Sequence, residues 1–486
     1  MKSENPVHKD LKRDLGLGSA ITLVVANMIG TGIFTTSGFI MGTLGSPKAM
    51  LFCWFMGGIL ALCGALCYGE LGAIFPQAGG EYVFLRESFG KLMGFLSGWI
   101  SLVVGFSAPI AAAAIAFASY FFRVFPNSLI RNPHTPFYKS FFFNISPITL
   151  LALGIILLFS AIQCYGLLLG SRVQNLLTGF KISLISLFIV AAFIFGNGSM
   201  AHFSVETPLD TIFSTGFAGS LIFVSFAYSG WNAAAYLGAE IKNPAKNIPR
   251  ALFWGTLLVM MLYLLLNIVF IYALPASKIK GVMEVGAKSA FALFGNGLER
   301  AFSGAITFCL LSVISAMIMA GPRVYYAMAK DHLFFKRFGR VTQRRRTPGQ
   351  AIMLQAAIAA FMVLTSSFEK LLIYIGFTLS IFAVFTILGM MLIRVKGNHP
   401  ERSYRTFGYP FTPILFILGN LWIILFSIYA NPLATICGTG TILSGVLIFY
   451  CFDRKAPRAS LRNRLPLTPP PGNPGEALQE KKSYDV

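Results

Sequence analysis

Charge is scarce in this sequence of 486 residues. Only 12% of positions carry Asp, Glu, Lys or Arg, against 56% hydrophobic residues and a mean hydropathy of +0.70. No water-soluble domain of this length has such a balance, so the chain reads as a polytopic membrane protein. Acidic residues are scarcest, 18 against 39 basic, and none lies deep in an apolar run. Glu70 and Glu240 fall near helix ends, where capping or pairing explains them, and a carboxylate proton relay at membrane depth is disfavoured. The five histidines (His8, His134, His202, His332, His399) all fall in loops or tails. The clustered His, Asp or Glu that a membrane-embedded enzyme needs is therefore missing. The seven cysteines sit in or beside apolar runs without metal-ligand spacing and read as free packing thiols, so neither a metal nor a cofactor is expected. The first apolar run is too long for the core of a cleavable signal and is expected to remain as a span.

What is abundant is Gly and Phe, 47 of each, as in tightly packed membrane helices. Apolar runs place about twelve spans: 17–44, 49–71, 92–122, 147–169, 175–195, 213–239, 251–274, 301–319, 350–366, 371–393, 413–429 and 433–452. Between the second and third, the segment from Phe75 to Glu87 predicts a turn and a short amphipathic helix on the inner face. Residues 282–294 predict an amphipathic cap on the outer face. A polar flank, 1–15, precedes the membrane domain, 16–452, and a basic, proline-rich tail, 453–486, is expected to be disordered.

The net charge of +21 raises the question of nucleic acid, and its distribution answers it. With both termini in the cytoplasm, 29 of the 39 Lys and Arg fall on inner segments and 9 on outer ones, leaving Lys181. The positive-inside rule accounts for this bias, including the run ending in Arg344-Arg345-Arg346, so no nucleic-acid partner is expected. Asn144-Ile-Ser and Asn197-Gly-Ser are glycosylation sequons in predicted outer loops.

Two spans are interrupted. Asn27 to Phe34 reads Asn-Met-Ile-Gly-Thr-Gly-Ile-Phe, placing two glycines and a threonine where a continuous membrane helix wants Leu or Ala. The backbone can unwind there, and the half-helix beginning near Ile33 would aim unpaired amides at an anion. Close helix packing is the competing reading of that motif alone. The sixth span carries a second break, Phe226-Ala-Tyr-Ser-Gly-Trp-Asn. Breaks at matching places in two halves of a membrane chain point to an inverted-repeat transporter with its site at the midplane. The repeats would be about 17–196 and 212–394, with 410–452 added. Lys181 is the only basic residue well inside a span. Either it serves function at depth or it snorkels to the nearby interface.

Taken together, Gly30-Thr-Gly-Ile-Phe, Phe75-Pro-Gln-Ala-Gly-Gly-Glu-Tyr, Phe226-Ala-Tyr-Ser-Gly-Trp-Asn and Glu240-Ile-Lys-Asn-Pro-Ala-Lys-Asn-Ile-Pro resemble the amino acid-polyamine-organocation superfamily, most closely its L-type amino acid transporter branch. The resemblance implies an all-α, LeuT-like 5+5 inverted repeat plus two extra helices, moving amino acids by alternating access in a cell membrane. It implies that the backbone of Ile29, Gly30, Thr31, Gly32 and Ile33 takes the substrate carboxylate. Phe226, Ala227 and Ser229 would take the α-amino group, with Phe226 also the aromatic gate and Trp231 either part of it or packing. Lys181 matches the lysine that replaces a bound sodium ion in sodium-independent members, which would make it the residue through which transport is coupled, with Ser312 or Ser315 as hydroxyl neighbours. Thr378 and Ser380 would leave a roomy side-chain pocket without a carboxylate, which favours exchange of neutral amino acids. The alternative is proton-coupled uptake of amino acids including cationic ones, or of polyamines. Eukaryotic members often bind a single-pass partner through a cysteine in the outer loop after the third span. Residues 123–146 contain no cysteine, so no disulfide-linked partner is expected.

Overall fold

The computed structural model describes residues 13, 15–125, 135–139, 144–165, 167–204, 214–341, 347–365, 368–397 and 403–453. The flank 1–12, the run Arg344-Arg345-Arg346 and the tail from 454 lie outside the described residues.

The first span is two helices, α1 (Leu17–Met28) and α2 (Thr31–Leu44), parted at Ile29 and Gly30. Then follow α3 (Pro47–Ile74), the amphipathic α4 (Glu81–Phe89), and a third span made of α5 (Lys91–Ile100), a π-helical segment (Ser101–Ser107) and α6 (Ala108–Val124). Two-residue strands β1 (Tyr138–Lys139) and β2 (Asn144–Ile145) pair antiparallel before α7 (Pro147–Tyr165) and α8 (Leu167–Phe195). The sixth span is α9 (Thr215–Tyr228) and α10 (Ala233–Tyr236), parted at Ser229 to Asn232. The rest are α11 (Pro244–Ala273), α12 (Ala276–Ile279), α13 (Val285–Phe294), α14 (Asn296–Lys330), α15 (Gly349–Thr365), α16 (Phe368–Lys396), α17 (Phe411–Ala430) and α18 (Pro432–Asp453).

Among the described residues ten spans are long and apolar enough to cross a membrane. The other two of the expected twelve are present in shorter form. α9 stops at its break, and α15 has 17 residues. This is the all-α, polytopic, LeuT-like architecture read from the sequence. The stretch 282–294 contains the helix α13, and the eighth span runs unbroken through Pro322 to Lys330.

The broken helices occupy the centre. α1 packs against α11, α14 and α8, and α2 packs against α9. The last two helices lie at the periphery and expose large apolar side chains such as Leu425, Tyr429 and Leu447, a surface suited to lipid.

Ionic ties gather at the end of the bundle that carries Leu15. Glu70 of α3 is bound by Arg394 of α16 and accepts from both the Thr406 amide and hydroxyl at 2.8 Å. Arg323 of α14 reaches Glu240 at 3.2 Å, and Asp331 takes Arg86 and the Tyr82 hydroxyl of α4. Leu15 is clipped to the segment after α10, donating to Glu240 O at 2.9 Å and accepting from Lys242 N–H at 2.8 Å. Both acids suspected of being structural, Glu70 and Glu240, are so used.

Candidate functional site

The two breaks meet. A β-carbon placed on Gly32 would stand 2.5 Å from Ala227 Cα, far inside van der Waals contact, so glycine alone lets the start of α2 lie on the end of α9. Gly230 fills a similar role in the other break. Its φ is 95°, and a β-carbon there would stand 2.9 Å from the carbonyl of Asn27. Both glycine motifs therefore serve close packing, and that packing brings the helix ends together.

Helix ends carry unpaired backbone groups. α2 begins at Thr31 and directs first-turn amides, with a partial positive charge, back toward the gap. α9 ends at Tyr228, and its last carbonyls face the same region. Between them lies a small cavity lined by Gly30, Thr31, Gly32, Phe226, Ala227 and Ser229, together with Asn27, Pro109, Val313 and Met317. Beside it a larger cavity, about 1070 Å³ with the open solvent at its mouth included, reaches α16 at Ser380 and α17 at Asn420. Asn27, Phe226, Ser229 and Met317 line both.

Two side chains hold the freed carbonyls. Lys181 of α8 is fully buried and does not snorkel. Its ammonium donates to Ile29 O at 2.5 Å and Ala26 O at 3.3 Å, placing a cation at the C-terminal end of α1, where the helix dipole is negative. The Tyr263 hydroxyl of α11 lies 2.6 Å from Met28 O and 3.1 Å from Ala227 O, one donor shared between the two breaks. Tyr263 was not singled out from the sequence. Its only signal is a hydroxyl inside a run of Leu and Met, with Asn267 one turn further on.

Six of the eight residues expected to bind substrate therefore line one cavity. Ile29 and Ile33 are buried beside it, Ile29 with its carbonyl turned to Lys181. Ser312 joins Gln174 and Thr178, one turn from Lys181, at 3.3 Å each, while Ser315 accepts from Gln163 at 3.1 Å. Neither serine bonds to Lys181 among the described residues. Ser380 lines the larger cavity. Thr378 lines neither; its hydroxyl donates to Tyr374 O at 2.8 Å, and the side chain packs toward Gly438 of α18. Trp231 packs edge-on to Tyr68, with ring centroids 4.6 Å apart, and edge-on to Phe416, while lining the larger cavity.

Two broken helices at matching positions, crossing at a buried cavity, define a secondary transporter of the inverted-repeat class. The family model described as "Amino acid permease" matches residues 15–451, and the chain belongs to that family. It is 31% identical over 458 residues to the serine/threonine exchanger SteT of Bacillus subtilis, covering 92% of this chain and 98% of that one. It is 29% identical over 455 residues to the mouse b(0,+)-type amino acid transporter 1, covering 91% and 88%. With the mouse large neutral amino acids transporter small subunit 2 the identity is 27% over 453 residues, covering 90% and 81%.

Proposed function

We propose that this protein exchanges neutral α-amino acids across a cell membrane by alternating access, without sodium. The observation that carries the reading is the contact of Gly32 with Ala227, which sets a helix N-terminus and a helix C-terminus on opposite sides of one small cavity. An α-amino acid has that polarity. Its carboxylate suits the amides at the start of α2, and its ammonium suits the carbonyls at the end of α9. Phe226 O already accepts from Ser229 N–H at 2.9 Å and Ala227 O from Tyr263, so each keeps one lone pair for the ammonium.

Sodium independence rests on Lys181. Its ammonium already occupies carbonyls of α1 that a bound cation would need. Preference for neutral side chains rests on the larger cavity: the pocket expected without a carboxylate does contain Glu81, the only acidic lining residue among the described residues, but its carboxyl is taken up by tyrosine hydroxyls. The relatives are transporters, and the reading here is a transporter and not an enzyme. The distribution of basic residues supports a reading in which both termini lie in the cytoplasm. No disulfide-linked partner is invoked, since residues 123–146 offer no cysteine.

The test is counterflow in proteoliposomes without a sodium gradient. Labelled serine, alanine and leucine should enter vesicles preloaded with unlabelled amino acid and not empty ones. Arginine should neither enter nor compete. Uptake into empty vesicles driven by a pH gradient would overturn the exchange reading.

A further inference from the structure

Glu81, the first residue of α4, is buried at one end of the larger cavity. The Tyr68 hydroxyl of α3 donates to its Oε1, and the Tyr236 hydroxyl of α10 reaches its Oε2 at 3.5 Å. Asn232 in turn donates to the Tyr236 oxygen at 3.3 Å. Around these lie Thr386 of α16 beside Tyr68, and Ser101 of the π-helical segment and Tyr325 of α14 beside Tyr236; all are neutral. The charged side chains at this end are engaged with one another: Arg86 with Glu87 and Asp331, Arg394 with Glu70, and Arg323 with Glu240. Glu81 therefore faces hydroxyls and no cation among the described residues. Burying an ionised carboxylate without a counter-charge costs several kcal/mol, and such a group avoids that cost by holding a proton.

Its partners belong to parts of the molecule with different tasks. Tyr68 stands on the long second span, whereas Tyr236 ends the four-residue helix beyond the break in the sixth. The backbone repeats the link: Gly79 N–H donates to Tyr236 O at 3.1 Å, and Ala78 bridges to Leu237. The start of α4 thus clips α10 in place over one end of the larger cavity.

We propose that Glu81 is a proton-carrying latch on the inner half of the broken sixth span, closed while its carboxyl is neutral and released when that carboxyl meets water and ionises. Burial pushes the carboxyl up to about 7, against the two tyrosine hydrogen bonds, which lower it. In water it returns to the ordinary carboxylate range of roughly 4.3. Opening therefore releases one proton between those limits. The closed form is favoured at low pH, and that preference is lost as pH rises to 7. The opening equilibrium should climb about tenfold per pH unit from roughly 5 to 7 and level off above. The proton leaves and returns on the same side, so exchange becomes pH-sensitive at one face with no net proton movement. This extends the alternating-access reading of the same site.

Hydrogen–deuterium exchange of the full-length protein in nanodiscs, from pH 5 to 8.5 and corrected for intrinsic rates, tests the latch through peptides covering 229–241. The wild type should follow the rise and plateau, and Glu81→Gln should stay protected at every pH. Tyr236→Phe, which removes a bond that lowers the carboxyl, should move the plateau to higher pH and decides the matter if Glu81→Gln does not fold. A pH-flat wild type, a wild-type profile in Glu81→Gln, or an unmoved plateau in Tyr236→Phe would overturn the proposal. Counterflow measured in parallel separates the two readings. Failure to exchange amino acids at any pH, with the predicted protection profile intact, overturns the transport reading and leaves the latch standing.

Discussion

Gly32 and Ala227 touch across the two helix breaks, and no other residue type at position 32 permits it: a β-carbon there would lie 2.5 Å from Ala227 Cα and 2.6 Å from Ala227 Cβ. The polarity of the candidate site follows from this contact, because it decides how far the amides of α2 stand from the carbonyls of α9.

Gly32→Ala should therefore force the half-helices apart. Overpacking of a tight interface costs about 1–3 kcal/mol. Much of that would fall on the site geometry, since the clash is with backbone. The expected outcome is a protein that still elutes as a single species but exchanges amino acid at least tenfold more slowly in counterflow. Unchanged flux would mean that the contact does not set the site.

Tyr263→Phe removes one hydroxyl and leaves the carbonyls of Met28 and Ala227 without their shared donor. A buried acceptor stripped of its partner costs about 1–3 kcal/mol. Because both carbonyls belong to breaks, flux should fall roughly tenfold to a hundredfold. The ring still packs edge-on to Trp54, so the protein should remain folded, with thermal stability lowered by no more than that cost. A loss of folding without a specific loss of flux would make Tyr263 a packing residue only.

Lys181→Ala should abolish transport or greatly alter its pH dependence while the protein remains folded. The ammonium is buried and bound to Ile29 O and Ala26 O, so its removal frees the C-terminal end of α1 beside the small cavity. Counterflow and size-exclusion elution of the same preparation check both halves of the statement, and wild-type flux in the variant would remove the coupling role assigned to Lys181.

Much of the fold was legible because membrane insertion makes sequence signals coarse and strong. Long apolar runs marked the spans, basic residues marked the loops, and glycines inside such runs marked breaks within Asn27–Phe34 and Tyr228–Trp231; the structure parts the helices at Ile29–Gly30 and Ser229–Asn232 and starts α2 at Thr31, two residues before the expected Ile33. Lys181 was conspicuous for the same reason, although only its burial against Ile29 O and Ala26 O set it apart from a lysine that snorkels to the interface. What stayed hidden depends on which faces meet. Tyr263 looks like any aromatic residue of a membrane helix until the fold sets it between Met28 and Ala227. Glu81 reads as part of an amphipathic surface helix until Tyr68 and Tyr236 close over it. The π-helical segment Ser101–Ser107 also left no sequence mark. Thr378 and Ser380 are two residues apart on α16, and without the helix phase nothing told that Ser380 faces the larger cavity while Thr378 packs toward α18.

The central claim, that the α-carboxylate and the α-ammonium bind opposite halves of one small cavity, is tested most directly by competition with fragments of the head group. Labelled alanine counterflow should be inhibited by unlabelled alanine. It should be left untouched by equal concentrations of propionate, which lacks the ammonium, and of alanine methyl ester, whose carboxyl carries no charge. Inhibition by either fragment as strong as that by alanine would contradict the account, because a site reading only one charge would not need two helix breaks.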